Sequence, residues 1–268
     1  MLAIRRTLLL LLFACCQCAI AAGQTNPTAR TIVQAMVAQY KHASSYQDSG
    51  TVSVVQSEPK IAHHVFQRPP FTGTLLSFRT YFAGPNMFRF DWKPAKSPRE
   101  SSVWFDGKNV YRWMPSAGAR DETFTLFRSN YIGITVDEAA RYSAGAVFPI
   151  ISMLVAETSV VSFDDLLHVA PRVTVTKEEP VEGEMCYVIN TNLSGAPWTL
   201  WVGKQTHLLR KTRTVYSYGS FDEMVEKGVR KVFLAEETRR DIKINEPISK
   251  DVFNYRPKLL AHDADLTR

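Results

Sequence analysis

Two periods of apolar residues divide the chain. Between Thr28 and Ala43, Ile32, Met36 and Tyr40 recur at helical spacing with Val33 and Val37 beside them, which predicts an amphipathic helix. Asn26-Pro27-Thr28 reads as its start, with proline in the first turn. From Gly50 the period drops to two. Segments 50–57, 74–82, 87–93, 101–106 and 109–114 read as strands between Pro, Gly and Asp-Gly turns, and Pro69-Pro70 makes 58–72 a loop. Strand character then stops. Thr135 followed by Asp137-Glu138 opens a helix through Tyr142, and the apolar run 147–157 is helical in type though interrupted early by Pro149. Strands return at 173–178, 184–191, 197–203, 207–216 and 229–239, with a last short one near 252–255.

A helix, about five strands, a helical insert and about six strands leave no βαβ alternation and no linker. The order predicts one α+β domain on an antiparallel sheet, with the helices covering one face. Parity along the strands is then informative. Phe88, Phe90 and Trp92 share one face, with Arg89 and Asp91 on the other. A two-residue loop at Asp106-Gly107 or Gly107-Lys108 places Trp104, Tyr111 and Trp113 on one face, whereas a three-residue loop would pair Trp104 with Val110. Trp198, Leu200 and Val202 share a face and leave Trp201 opposite. Each stripe alone reads as core beneath the helices. Two features point further: tryptophan favours sites with one accessible side, and so few helices are too little to cover so many strands closely. A sheet curved around a partly empty apolar concavity describes a lipid site, lined by Phe88, Phe90, Trp92, Trp104, Tyr111, Trp113, Trp198 and Leu200, with the helix at 146–156 as part of its lid.

The N-terminus changes where this domain is expected to work. Arg5-Arg6, the apolar run Thr7 to Ala14 and the small residues Ala19 to Ala22 form a secretory signal over residues 1–22, leaving 23–268 as the single domain in the periplasm. Leu12-Phe13-Ala14-Cys15 is a near-lipobox, so acylation at Cys15 and membrane anchoring is the alternative. Cys15, Cys16 and Cys18 lie inside the signal, and the remaining Cys186 has no internal disulfide partner; it reads as a small buried hydrophobe. The signal holds two arginines and no acid, so the net charge of +6 falls to +4 on its removal. That excess suits transient contact with an anionic membrane surface and is too diffuse for nucleic acid.

Catalytic signatures are absent: there is no G-x-S-x-G, H-E-x-x-H, P-loop or helix-opening G-x-G-x-x-G. His63-His64 would point to opposite strand faces, and the adjacent pairs Asp164-Asp165 and Glu178-Glu179 do not converge on one substrate. The expectation is a non-enzyme without metal or cofactor. Asn192-Leu193-Ser194 matches a short glycosylation pattern. Arg210, Lys211 and Arg213 with Lys227, Arg230 and Lys231 form either a basic patch for lipid headgroups or a solvated strand face.

Several of these segments resemble the LolA-like periplasmic carriers of outer-membrane lipoproteins. Gly84-Pro85-Asn86-Met87-Phe88-Arg89-Phe90-Asp91-Trp92 resembles that family's R-P-N-x-F-x-W strand, and Phe105-Asp106-Gly107-Lys108-Asn109-Val110-Tyr111, on to Pro115, its S-D-G-K-T-L hairpin. Leu200-Trp201-Val202-Gly203-Lys204 and Val252-Phe253-Asn254-Tyr255-Arg256-Pro257 agree in order and spacing, so the resemblance spans most of residues 28–257. It implies an unclosed antiparallel β half-barrel of about ten or eleven strands with an N-terminal helix and a helical lid. It also implies non-covalent binding of lipid or lipoprotein acyl chains, with sorting to the outer membrane as one use. Gly84 stands where the carriers have a lid-holding arginine, and the segment Tyr131 to Thr135 is closer to an uncharacterised exported subgroup. The alternative function is a lipid-sensing or scaffold module that binds a protein partner in the envelope.

Overall fold

The computed structural model describes residues 27–57, 73–115, 122–127, 131–142, 148–155, 173–193, 196–218 and 231–254. Helix α1 spans Ala29–Lys41 and buries Ile32, Val33, Met36, Val37 and Tyr40, the stripe its spacing predicts. Thr28 is its N-cap, with Oγ1 accepting from the Thr31 N–H at 3.1 Å. Pro27 therefore stands just outside the cap and not within the first turn.

Strands β1 (Ser45–Ser57), β2 (Gly73–Ala83), β3 (Met87–Pro94), β4 (Ser101–Phe105), β5 (Val110–Pro115) and β6 (Glu122–Phe127) form one meander. A second meander comprises β7 (Val173–Val181), β8 (Glu184–Leu193), β9 (Ala196–Gly203), β10 (Leu209–Tyr218) and β11 (Lys231–Ile244). Antiparallel pairing of β1 with β11 joins the two into an 11-stranded sheet ordered β6-β5-β4-β3-β2-β1-β11-β10-β9-β8-β7. Among the described residues nothing pairs β6 with β7, so the sheet is open: an α+β half-barrel. The segment between those two edge strands holds α2 (Ile132–Tyr142) and α3 (Phe148–Leu154). These helices pack into the same core cluster as the sheet's apolar face. Helix α2 packs on β3, β4 and β5, α1 packs on β7 and β9, and α3 touches both helices.

Four further expectations need correction. Residues 122–127 form β6, a strand whose short alternation over Thr123 to Leu126 was too brief to register. Residues 250–252 form a 3₁₀ turn, not a strand, capped by Ser249 Oγ accepting from the Asp251 N–H at 3.3 Å. Helix α2 begins at Ile132 with Thr135 fully buried inside it, because burial of Ile132, Val136 and Ala139 against the sheet outweighs a cap at Thr135. Pro149 occupies the second position of α3, where its missing N–H costs no intrahelical bond, so it starts that helix and does not interrupt it. The signal segment, the loop over 58–72, His63-His64, Asp164-Asp165, Lys227 and Arg230 lie outside the described residues.

Candidate functional site

The concave face is built from rows that run across the sheet through directly paired residues. One row links Tyr46, Phe82, Phe88, Phe105 and Val110. The next links Asp48, Thr80, Phe90, Val103 and Arg112. A third runs from Arg239 through Gly50 and Phe78 to Trp92, and a fourth joins Ile189, Leu200, Thr212, Glu237 and Val52. The apolar members of these rows and the buried stripes of α1, α2 and α3 form a single core cluster. Phe88, Phe90 and Leu200 are 0% exposed and Trp92 is 3% exposed, so in this state the helices fill the concavity. The rings of Phe78, Phe90 and Trp92 stack in series at 5.8 Å.

At the centre of this apolar floor sits a buried polar group. The Arg239 guanidinium is fully buried and pairs with both Asp48 Oδ2 and Glu237 Oε1. Tyr46 donates its hydroxyl to Asp48 Oδ2 at 2.6 Å, and Thr212 faces Glu237 Oε2 at 3.4 Å. Gly50 makes room for the Phe78 ring beside the group: a Cβ there would stand 2.3 Å from Phe78 Cζ and 2.4 Å from the Thr238 carbonyl oxygen. Arg239 in turn lies 5.2 Å over the Phe78 ring. Burial pushes the Glu237 carboxyl up to about 7, against the pull of Arg239. Burial also lowers Arg239, but Glu237 and Asp48 beside it more than reverse this and hold it well above its ordinary range. Tyr40, at the end of α1, closes over the group: its ring meets Tyr46 at 5.7 Å and its oxygen accepts from the Leu209 N–H at 3.0 Å.

Of the eight residues expected to line one cavity, the structure brings five together. Phe88, Phe90, Trp92 and Leu200 belong to the concave face, and half-buried Trp198 packs against the same core at its rim. Trp104, Tyr111 and Trp113 do share a face, because Trp104 pairs with Tyr111 and Ser102 with Trp113. It is the other face, since Val103, Phe105 and Val110 from the same hairpin join the concave core. These three rings cannot line the concavity with the other five. Sheet β3 and β4 are buried on both sides, so alternation could not say which stripe faced inward. The C-terminal turn covers this outer face: Arg89 Nη1 donates to the Val252 carbonyl at 2.9 Å, and Phe253 is buried. Asp106 makes the hairpin turn, its Oδ1 accepting from the Lys108 and Asn109 N–H groups at 2.9 and 2.8 Å, and Gly107 adopts φ +92°.

The charged residues that drew attention are committed elsewhere. Lys211 and Arg213 both pair with Glu236, and Arg210 with Glu184, so the described part of the basic patch is neutralised locally. Glu178 pairs with Lys204 and Glu179 accepts from Trp201 Nε1 on the outer face. Cys186 is buried beside Val181, Val188 and Trp201, and burial pushes its thiol up to about 11. An open depression of about 950 Å³ lies between Pro27, the hairpin at Glu182–Met185 and the turn at Lys204–Thr206, lined by these same paired groups. Among the described residues no cluster of His, Cys, Asp or Glu could hold a metal ion, and no helix is long and apolar enough to cross a membrane. The polar floor itself was missed. Parity from Gly50 and Val52 back to Asp48 could have flagged a charge on an apolar face. Glu236 to Asp241 carries charges on both faces and gave no such signal.

These elements define an open antiparallel half-barrel with helices laid across an apolar concave face. The chain is similar to the lipoprotein LppX of Mycobacterium tuberculosis, at 13% identity and a TM-score of 0.43 over 85% of this chain and 100% of that one. It is also similar to the LolA superfamily protein NE2245 of Nitrosomonas europaea, at 12% identity and a TM-score of 0.30 over 85% and 97% of the two chains. A DUF1329 family protein from Desulfovibrio piger follows, at 12% identity and a TM-score of 0.33 over 84% and 95%. No family model and no curated protein matches the chain.

Proposed function

We propose that this protein is an exported carrier that binds a lipid or acylated molecule non-covalently between the concave face and the helices. The observation that carries this reading is that the concave face of each meander is apolar, from Val110 to Phe78 and from Ile189 to Leu200, and among the described residues short helical elements cover it from the open side. A second sheet would be a permanent cover; helices strung between the two sheet edges form a removable one. Helix α3 is seven residues long with six of them buried, and α2 is tied to the sheet by an ion pair, Arg112 Nη1 to Glu138 Oε2 at 2.6 Å. Displacing them exposes Phe88, Phe90, Trp92 and Leu200 to an acyl chain. Each buried methylene of that chain then contributes about 0.8 kcal/mol, enough to offset the contacts the helices give up.

The N-terminal sequence supports a periplasmic site of action, and transport of lipid or lipoprotein between membranes is the use such a carrier would serve. The test has two arms. Lipid extraction and mass spectrometry of protein purified from its native envelope should find a bound amphiphile in stoichiometric amount. A fluorescent acyl-chain probe should bind saturably and weaken about tenfold or more on Trp92→Ala. Purification without lipid, together with absence of saturable probe binding, would sink the reading.

A further inference from the structure

We propose that the buried polar group on the concave floor is the seat for the polar end of the ligand, and that this end is an uncharged hydroxyl. The inference rests on the carrier reading above and specifies what that carrier selects. Asp48 and Thr80 are direct partners across β1 and β2, side by side on the concave face. Both are buried, and Asp48 Oδ1 and Thr80 Oγ1 have no hydrogen-bond partner in this state. An unmatched buried carboxylate oxygen and an unmatched hydroxyl are costly to hold. Together they offer one acceptor and one group that both donates and accepts, the complement of a hydroxyl.

Charge narrows the ligand further. Asp48 and Arg239 offset each other, and Glu237 adds negative charge or none. The seat is therefore neutral to negative, and an anionic carboxylate or phosphate entering it would be repelled and desolvated without a free cation to meet it. A neutral hydroxyl meets neither cost. From Thr80 the row continues through Phe90 and Val103, so the attached chain has an apolar track leading away from the seat over β3 and β4.

The probes are 1-dodecanol, dodecanoate and the fluorescent acyl-chain probe, titrated into the whole protein at pH 7.5. Dodecanol should bind at least tenfold more tightly than dodecanoate. Thr80→Val, which keeps the shape and removes the hydroxyl, should still bind the acyl probe but cut that preference to less than about threefold. Thr80→Ser should retain it. Equal or tighter binding of dodecanoate overturns the proposal, as does a preference unchanged in Thr80→Val. If neither amphiphile nor the acyl probe binds, the carrier reading itself has failed. If the acyl probe binds without discrimination between alcohol and acid, only the seat has failed.

Discussion

Glu237 makes the stability of this fold depend on pH in a way one substitution isolates. In the unfolded chain its carboxyl titrates near 4.5, and in the folded protein burial raises it to about 7. Between those values the folded state holds a proton that the unfolded state has lost, so stability falls as pH rises. The contribution is fully present below 4.5 and is lost as pH passes through about 7. At about 1.4 kcal/mol per pH unit, ionising Glu237 costs the fold about 3 kcal/mol. Glu237→Gln keeps the volume and an acceptor for Arg239 and removes the titration. Urea unfolding of both proteins at pH 4.5, 6 and 8 measures the difference. The variant should gain on the parent by about 3 kcal/mol between pH 4.5 and 8, seen equally as a relative rise of about 6–12 °C in Tm. A difference that stays flat across that range, or a parent that gains on the variant as pH rises, refutes the reasoning.

Further outcomes follow from the same geometry. Gly50→Ala forces a methyl group against Phe78 and the Thr238 carbonyl; a loss of about 3 kcal/mol in urea unfolding is expected, at the upper end for overpacking, and a neutral result would contradict the close approach. Gly107→Ala strains the φ +92° turn and should cost about 1–2 kcal/mol in the same assay while leaving acyl-probe affinity unchanged, since the hairpin's aromatic face looks away from the concavity. Cys186, buried with its thiol raised to about 11, should react with a thiol-specific reagent at pH 8 only as fast as the protein unfolds; a rapid reaction in native buffer would show the β8–β9 outer face to be open. Arg112→Met removes the ion pair that ties α2 to β5 and should raise amide exchange in α2 selectively, whereas a uniform rise would make that pair part of the global core.

How far the sequence disclosed this molecule depends on which faces were covered. Helix α1 was legible because a single apolar stripe faces a single core. In β3 and β4 both faces are buried, so Trp104 and Trp92 look alike in sequence although they stand on opposite sides of the sheet. Parity predicted that Trp104, Tyr111 and Trp113 share a face, and the register of the hairpin agrees. Which face was inward depended on α2, which follows the hairpin, and on the C-terminal turn held by Arg89, 163 residues away in the chain. Long-range cover of this kind leaves no local trace.

The polar floor was hidden for a different reason, and that reason bears on what it does. Period-two alternation assigns apolar residues to the inward face, and the concave rows obey it from Val110 to Phe78 and again from Leu200 to Ile189. They break it at the join between the two meanders, with Asp48 and Thr80 on one side and Glu237 and Arg239 on the other. Packing does not require the exception, because an ion pair buried this deeply is often no more stabilising than apolar residues of the same volume. Gly50 adds to the cost by surrendering strand propensity at the same point so that Phe78 and the Thr238 carbonyl can close over it. A local rule broken by several residues at one spot, at a cost to stability, marks the place where sequence serves binding more than folding. Under the proposed carrier function, with the remaining concave surface apolar, that spot is where one amphiphile would be told from another.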